Sequence, residues 1–183
     1  VVNSGAITGD VLFDNYFTPA STRFENRGTM DGVVWMGSGD DVFVQHGGAQ
    51  LDFAVGGAGN DLFVVQADAD GTLVANQLYE FERLLQTGTQ AISYLGAFAV
   101  PTIELAGGTL AVETGAAVGT RGAVTVTGGD AGVTVVNRGR IAGGVQLGAG
   151  DDTYVEGAGS RVGFVDGGAG RDTYGVLLSG DRQ

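Results

Sequence analysis

Apolar and polar residues alternate along residues 6–13: Ile7, Val11 and Phe13 fall on one side with Gly9, and Ala6, Thr8, Asp10 and Leu12 on the other. A period of two is that of a strand with one face in a core. The same register returns in Met30, Val34 and Met36, and again in Ile141, Val145 and Leu147. Gly32 and Gly143 stand where Gly9 stands, and glycine at an inward position predicts a tight bend or a corner. The runs at residues 62–64, 92–95, 101–105, 109–113 and 123–126 read as further short strands separated by glycine. Residues 78–86 alone have a helix-like composition, but Thr87-Gly88-Thr89 cuts the run short, so no helix is expected there.

The chain also repeats itself. At an offset of 111 residues, 26–65 aligns with 137–176 without a gap: Asn26-Arg27-Gly28 meets Asn137-Arg138-Gly139, and Gly56-Gly57-Ala58-Gly59-Asn60-Asp61 meets Gly167-Gly168-Ala169-Gly170-Arg171-Asp172. A partial third copy opens the chain at Asn3-Ser4-Gly5. Within each copy a shorter step of 20 residues carries Asp41 to Asp61 and Asp152 to Asp172. Short strands between glycine turns at this period are the mark of a β-solenoid, whose coils stack about 4.8 Å apart. The expected fold is all-β, a right-handed single-stranded parallel β-helix with coils of about 20 or more residues, running through 1–183 as one continuous segment of a longer chain.

Composition agrees and excludes several alternatives. Glycine supplies 35 of 183 residues, about 19% against about 7% in ordinary proteins. With two prolines and no three-residue glycine period the chain is not collagen, and 43% hydrophobic residues argue against disorder. The net charge is −12, with 21 acids, and all nine basic residues are arginine. Such a chain is repelled by phosphate backbones and anionic membranes, so nucleic acid is not an expected partner, whereas multivalent cations are. Without cysteine there is no disulfide, zinc-thiolate site or cysteine nucleophile.

The motif with chemical content is Gly-Gly-x-Gly-x-Asp followed two positions on by a large apolar residue. Residues 56–63 and 167–174 fit completely; 36–43 and 147–154 depart at the first glycine. Glycines bring carbonyl oxygens together, the aspartate adds an anionic oxygen, and the apolar residue anchors the turn. The motif resembles the calcium-binding repeat of RTX proteins, which implies Ca²⁺ held by backbone carbonyls and by Asp41, Asp61, Asp152 and Asp172, with weaker candidacy for Asp40 and Asp151. RTX nonapeptides run in tandem, however, whereas these motifs are 20 residues apart. If one coil takes 20 residues, Asp41 lies over Asp61 and Asp152 over Asp172, a like-charge repulsion on the order of 3 kcal/mol per pair at an effective dielectric of about 20. Either a bridging cation relieves it, or the aspartates cap their turns on local amides with their side chains in water.

Other candidates are weaker. His46, the only histidine, is expected at the surface in a glycine turn, and no nucleophile motif accompanies it. The absence of lysine removes Schiff-base chemistry and the common phosphate-binding loop. Arg27 and Arg138 occupy equal positions in the two copies and are expected to pair with acids on neighbouring coils. Trp35, Tyr79 and Tyr94 are scattered and are expected in the core or singly exposed, rather than as a sugar-stacking surface.

Over nearly its whole length the chain resembles passenger domains of bacterial autotransporters, the type V secreted proteins. The resemblance is carried by Asn-x-Gly-x-Ile-x-Gly-x-Val at 3–11 and 137–145, by residues 147–154, by Phe81-Glu82-Arg83-Leu84 with Thr87-Gly88-Thr89, and by residues 103–112. It implies export across the outer membrane, display or release at the surface of a Gram-negative bacterium, and a C-terminal outer-membrane β-barrel elsewhere in the parent chain. The expected role is a non-catalytic stalk or adhesion scaffold, stiffened by calcium, that meets a host or cell-surface ligand. The rivals are a carbohydrate-active β-helix enzyme of the pectate lyase type and a calcium-binding RTX module of a type I secreted protein.

Overall fold

The computed structural model describes residues 1–13 and 20–178. Every strand pairing in it is parallel and joins segments about one coil apart, so the chain is a β-solenoid of about 8 turns with roughly 20 residues per turn. A nine-stranded sheet runs its length through Val42–His46, Leu62–Ala67, Arg83–Gly88, Ile103–Leu105, Val124–Gly128, Gly144–Gln146 and Phe164–Asp166. A second sheet contains Thr29–Trp35, Gln50–Val55 and Leu78–Tyr79; a third runs from Gly71–Val74 to Thr173–Leu177; and a short fourth contains Ala97–Phe98, Ala117–Val118 and Arg140–Ile141. The only helical element among the described residues is a 3-10 turn, Ala75–Gln77; 78–86 holds no helix, as expected, and with the two residues that follow it forms the strands Leu78–Tyr79 and Arg83–Gly88.

The inward side chains stack in columns. Phe24, Phe43 and Phe63 lie face over face at 5.3 and 5.1 Å, and Phe81 closes the column edge-on at 5.3 Å. Met30, Val34, Met36, Ile141, Val145 and Leu147 are all buried, as their alternation predicts. Gly32 makes the corner expected of it: its φ is +138°, and the pairing of Thr29–Trp35 with Gln50–Val55 shifts register between Met30 and Val33.

Buried amides tie the core polar groups together. The Asn3 side chain donates to Asn26 Oδ1 at 3.0 Å, and Asn26 donates to Gln45 Oε1 at 3.0 Å. In Asn-x-Gly each asparagine also accepts its own glycine amide, from Gly5, Gly28 and Gly139. The asparagine thereby turns the chain and crosses to the next coil with one side chain.

Coil counting changes the meaning of the duplication. Phe43, Phe63, Leu84, Ile103, Val126, Val145 and Val165 share one register column, six coils from first to last. The 111-residue offset therefore spans about five and a half coils. Val42–His46 and Leu62–Ala67 belong to the nine-stranded sheet, whereas their counterparts Thr153–Gly157 and Thr173–Leu177 belong to the six-stranded one. The two Gly-Asp pairs thus stand at different corners of the solenoid.

Candidate functional site

The glycine turns place their aspartates one coil apart, as the 20-residue step predicts. Gly57 and Gly59 have φ of +102° and +149°, a conformation open to glycine and strained for other residues. A Cβ on Gly57 would run into the Gly37 carbonyl of the neighbouring coil, and one on Gly168 into that of Gly148. The first glycine of the complete motif serves the acid itself: a Cβ on Gly56 would come within 2.7 Å of Asp61 Oδ2, and one on Gly167 within 2.5 Å of Asp172 Oδ2. In the incomplete copies Met36 and Leu147 occupy that position and fill the core instead.

None of the four carboxylates caps an amide of its own turn, and those of Asp41, Asp61 and Asp152 are shut away from water, unlike a turn-capping arrangement. Each reaches across to an adjacent coil. Asp61 Oδ1 accepts the Asp41 amide at 2.8 Å, Asp41 Oδ1 accepts the Thr22 amide at 2.6 Å, and Glu82 Oε2 accepts the Asp61 amide at 2.7 Å. The second corner repeats the pattern, with Asp172 accepting from Asp152 at 3.1 Å and Asp152 from Val133 at 2.8 Å. Asp40 and Asp151 point the other way along the axis and accept from Asn60 and Arg171. Asp10 and Asp70 do the same for Val33 and Ala91. The physical demand is plain: where the chain turns in glycine conformations, amides need an acceptor, and a carboxylate supplies one.

Asp41, Asp61 and Asp152 are fully buried, and one oxygen of each, Oδ2, has no hydrogen-bond partner. Asp172, on the last described coil, is exposed. Burial raises the Asp61 carboxyl to about pH 6, against the opposing pull of the Asp41 amide, and the neighbouring acids add to the rise. Asp41 is raised for the same first reason. A carboxylate oxygen without a donor is costly when ionised, and either a proton or a cation answers it. Calcium takes six to eight oxygens. The chain offers it the free Oδ2 atoms together with turn carbonyls, the Oδ1 atoms being held by amides; among the described residues no three acidic or histidine side chains converge on one point.

His46 is not the exposed turn residue expected from the sequence. Its side chain is 11% exposed, and its two ring nitrogens face Asp68 Oδ2 at 2.6 Å and Glu25 Oε1 at 2.9 Å, on the coils to either side. Glu25 is held below the usual carboxylate range by hydrogen bonds from Arg27 and then His46. Burial pushes Asp68 up, but its bond to His46 and that ring's charge leave it lowered. Arg138 pairs with Glu113 of a neighbouring coil at 3.2 Å, as expected, whereas Arg27 pairs with Glu25 of its own coil.

Of the aromatic residues, Tyr94 is core, its hydroxyl donating to Gln86 at 3.0 Å. Trp35 and Tyr79 are exposed in one register column with Val55 between them, and Trp35, Val55 and Glu80 line a cavity of about 570 Å³. A groove of about 360 Å³ lined by Arg138, Arg140 and Arg161 was not expected from the sequence. The 21-residue step from Arg140 to Arg161 is the coil step, a signal present in the sequence. No family model, curated protein or solved structure matches the chain.

Proposed function

We propose that the chain is a non-catalytic β-solenoid segment of an autotransporter passenger, displayed at the surface of a Gram-negative cell as a stalk or adhesion scaffold. The observation that supports this is the use made of its acids. Carboxylates of the kind that serve elsewhere as general acids or bases accept amides of adjacent coils, and the one histidine is held between two carboxylates. Titratable chemistry is thus spent on fastening coils. Incubation with acidic polysaccharides tests the reading: no turnover is expected, and release of unsaturated sugars would overturn it in favour of the lyase-type rival. That rival is favoured by one observation, the Arg138–Glu113 pair beside Arg140 and Arg161. A β-barrel in the parent chain supports surface display by the type V route; flanking tandem nonapeptides would support an RTX module instead.

The proposal includes calcium as a stiffener, entering at the free Oδ2 atoms of Asp41 and Asp61 at one corner and of Asp152 at the other, where Asp172 lies one coil on. Bound to the folded chain alone, it raises stability by mass action. Calcium is expected to raise the melting temperature, and Asp61→Ala with Asp172→Ala to remove the response. A melting curve indifferent to chelator would sink this part of the proposal.

A further inference from the structure

The chain carries −12 net charge, yet two of its nine arginines stack directly over one another without an acid. Arg140 and Arg161 are joined by a parallel bridge: the Arg161 amide donates to Gly139 O at 3.0 Å and the Ile141 amide to Arg161 O at 2.8 Å. Their side chains are therefore one coil apart, about 4.8 Å along the axis. Among the described residues neither has a carboxylate partner, although Arg23, Arg27, Arg83 and Arg138 all have one. Arg138, itself on Glu113, lines the same groove. Elsewhere in this chain the like-charged aspartate stacks are tied into the backbone by amides; this arginine stack is left facing solvent.

The floor between the arginines is almost bare. Gly115, Gly139 and Gly159 lie along it, and a Cβ placed on Gly115 or Gly159 would touch nothing. A ligand can thus approach the backbone while guanidinium groups reach it from the side. Guanidinium forks bind carboxylate and sulfate groups in bidentate fashion. The protein's own field selects the shape of the anion. A duplex or a membrane presents a broad negative surface that the remaining acids repel, whereas a narrow chain can lie in the groove against Arg140 and Arg161, with the nearby acid Glu113 already paired to Arg138.

We propose that Arg138, Arg140 and Arg161 form a binding groove for a linear acidic glycan, carboxylated or sulfated, lying along the solenoid axis. This gives a ligand class to the adhesion half of the proposed role and rests on that reading for its setting. A failed titration on the isolated chain leaves surface display untouched, and a parent chain without a barrel leaves the groove untouched.

The test is calorimetric titration of the 183-residue chain with an oligogalacturonate and with a heparin-derived oligosaccharide, which separates carboxylate from sulfate as the source of charge. Arg140→Gln with Arg161→Gln is compared with Arg83→Gln, a remote exposed arginine, and melting curves check that each variant is folded. At least one acidic glycan is expected to bind, with affinity falling tenfold or more in the double variant, little changed in Arg83→Gln, and only partly restored by lysine at 140 and 161. Absence of binding by both glycans, equal binding by the folded double variant, or equally tight binding of a single-stranded oligonucleotide of the same charge would each overturn the proposal.

Discussion

The amide of Asp41 donates to the carboxylate of Asp61 across one coil at 2.8 Å, and both side chains are closed off from solvent. A hydrogen bond to an ionised group contributes roughly 1.5–3 kcal/mol, but the second oxygen of each carboxylate has no donor. The contact is thus strong on one side and costly on the other.

The first prediction follows from that asymmetry. The folded-state value of Asp61 is raised from 3.8 to about 6, so between these values the folded chain holds more protons than the unfolded one. Stability therefore falls as pH rises from about 4 to about 6 and stays lower above. With chelator present, Asp61→Asn, which keeps the acceptor and removes the charge, is expected to melt higher than wild type at pH 7 and to flatten this part of the pH profile. Thermal melts across pH 4–7 check it.

The clamp at His46 has the opposite sign. Glu25 and Asp68 are both lowered, so their contribution is present above their ordinary carboxylate values and is lost as pH falls through the lowered ones. His46→Ala is expected to cost about 1 kcal/mol near neutrality and to make the acid-side loss shallower, measured by urea unfolding at several pH values.

The turn glycines should tolerate nothing else. Gly57→Ala and Gly168→Ala meet a carbonyl of the adjacent coil at positive φ, and each is expected to destabilise the chain by roughly 2 kcal/mol or more. Gly159→Ala, also at positive φ but with open space around it, is expected to cost less, about 1 kcal/mol. Chemical denaturation of the three variants ranks them.

The phenylalanine column gives a reference for core packing. Phe43 is stacked between Phe24 and Phe63 with no exposure, and Phe43→Ala is expected to cost about 3–5 kcal/mol.

The coil and its core were legible because both are periodic. Alternation put Met30, Val34 and Met36 inward, and the Asp41-to-Asp61 step set the coil length. The destination of each carboxylate was not legible. An aspartate beside glycine can bond its own turn, and only the stack shows that the nearest bare amide belongs to the next coil. His46 was misplaced for the same reason: Glu25 and Asp68 are 21 and 22 residues away, and sequence gives no sign that they flank the ring. The half-coil rotation between the duplicates escaped because coils vary in length, from 18 residues between Ala91 and Thr109 to 25 between Thr109 and Thr134.

That acids on glycine turns fasten successive coils is tested most directly by amide hydrogen exchange at Asp41, followed by NMR in wild type, Asp61→Asn and Asp61→Ala. Protection at Asp41 is expected to survive in Asp61→Asn and to fall at least tenfold in Asp61→Ala, while Val44, in the adjoining strand, exchanges as before. Equal protection of the Asp41 amide in all three chains would contradict the account.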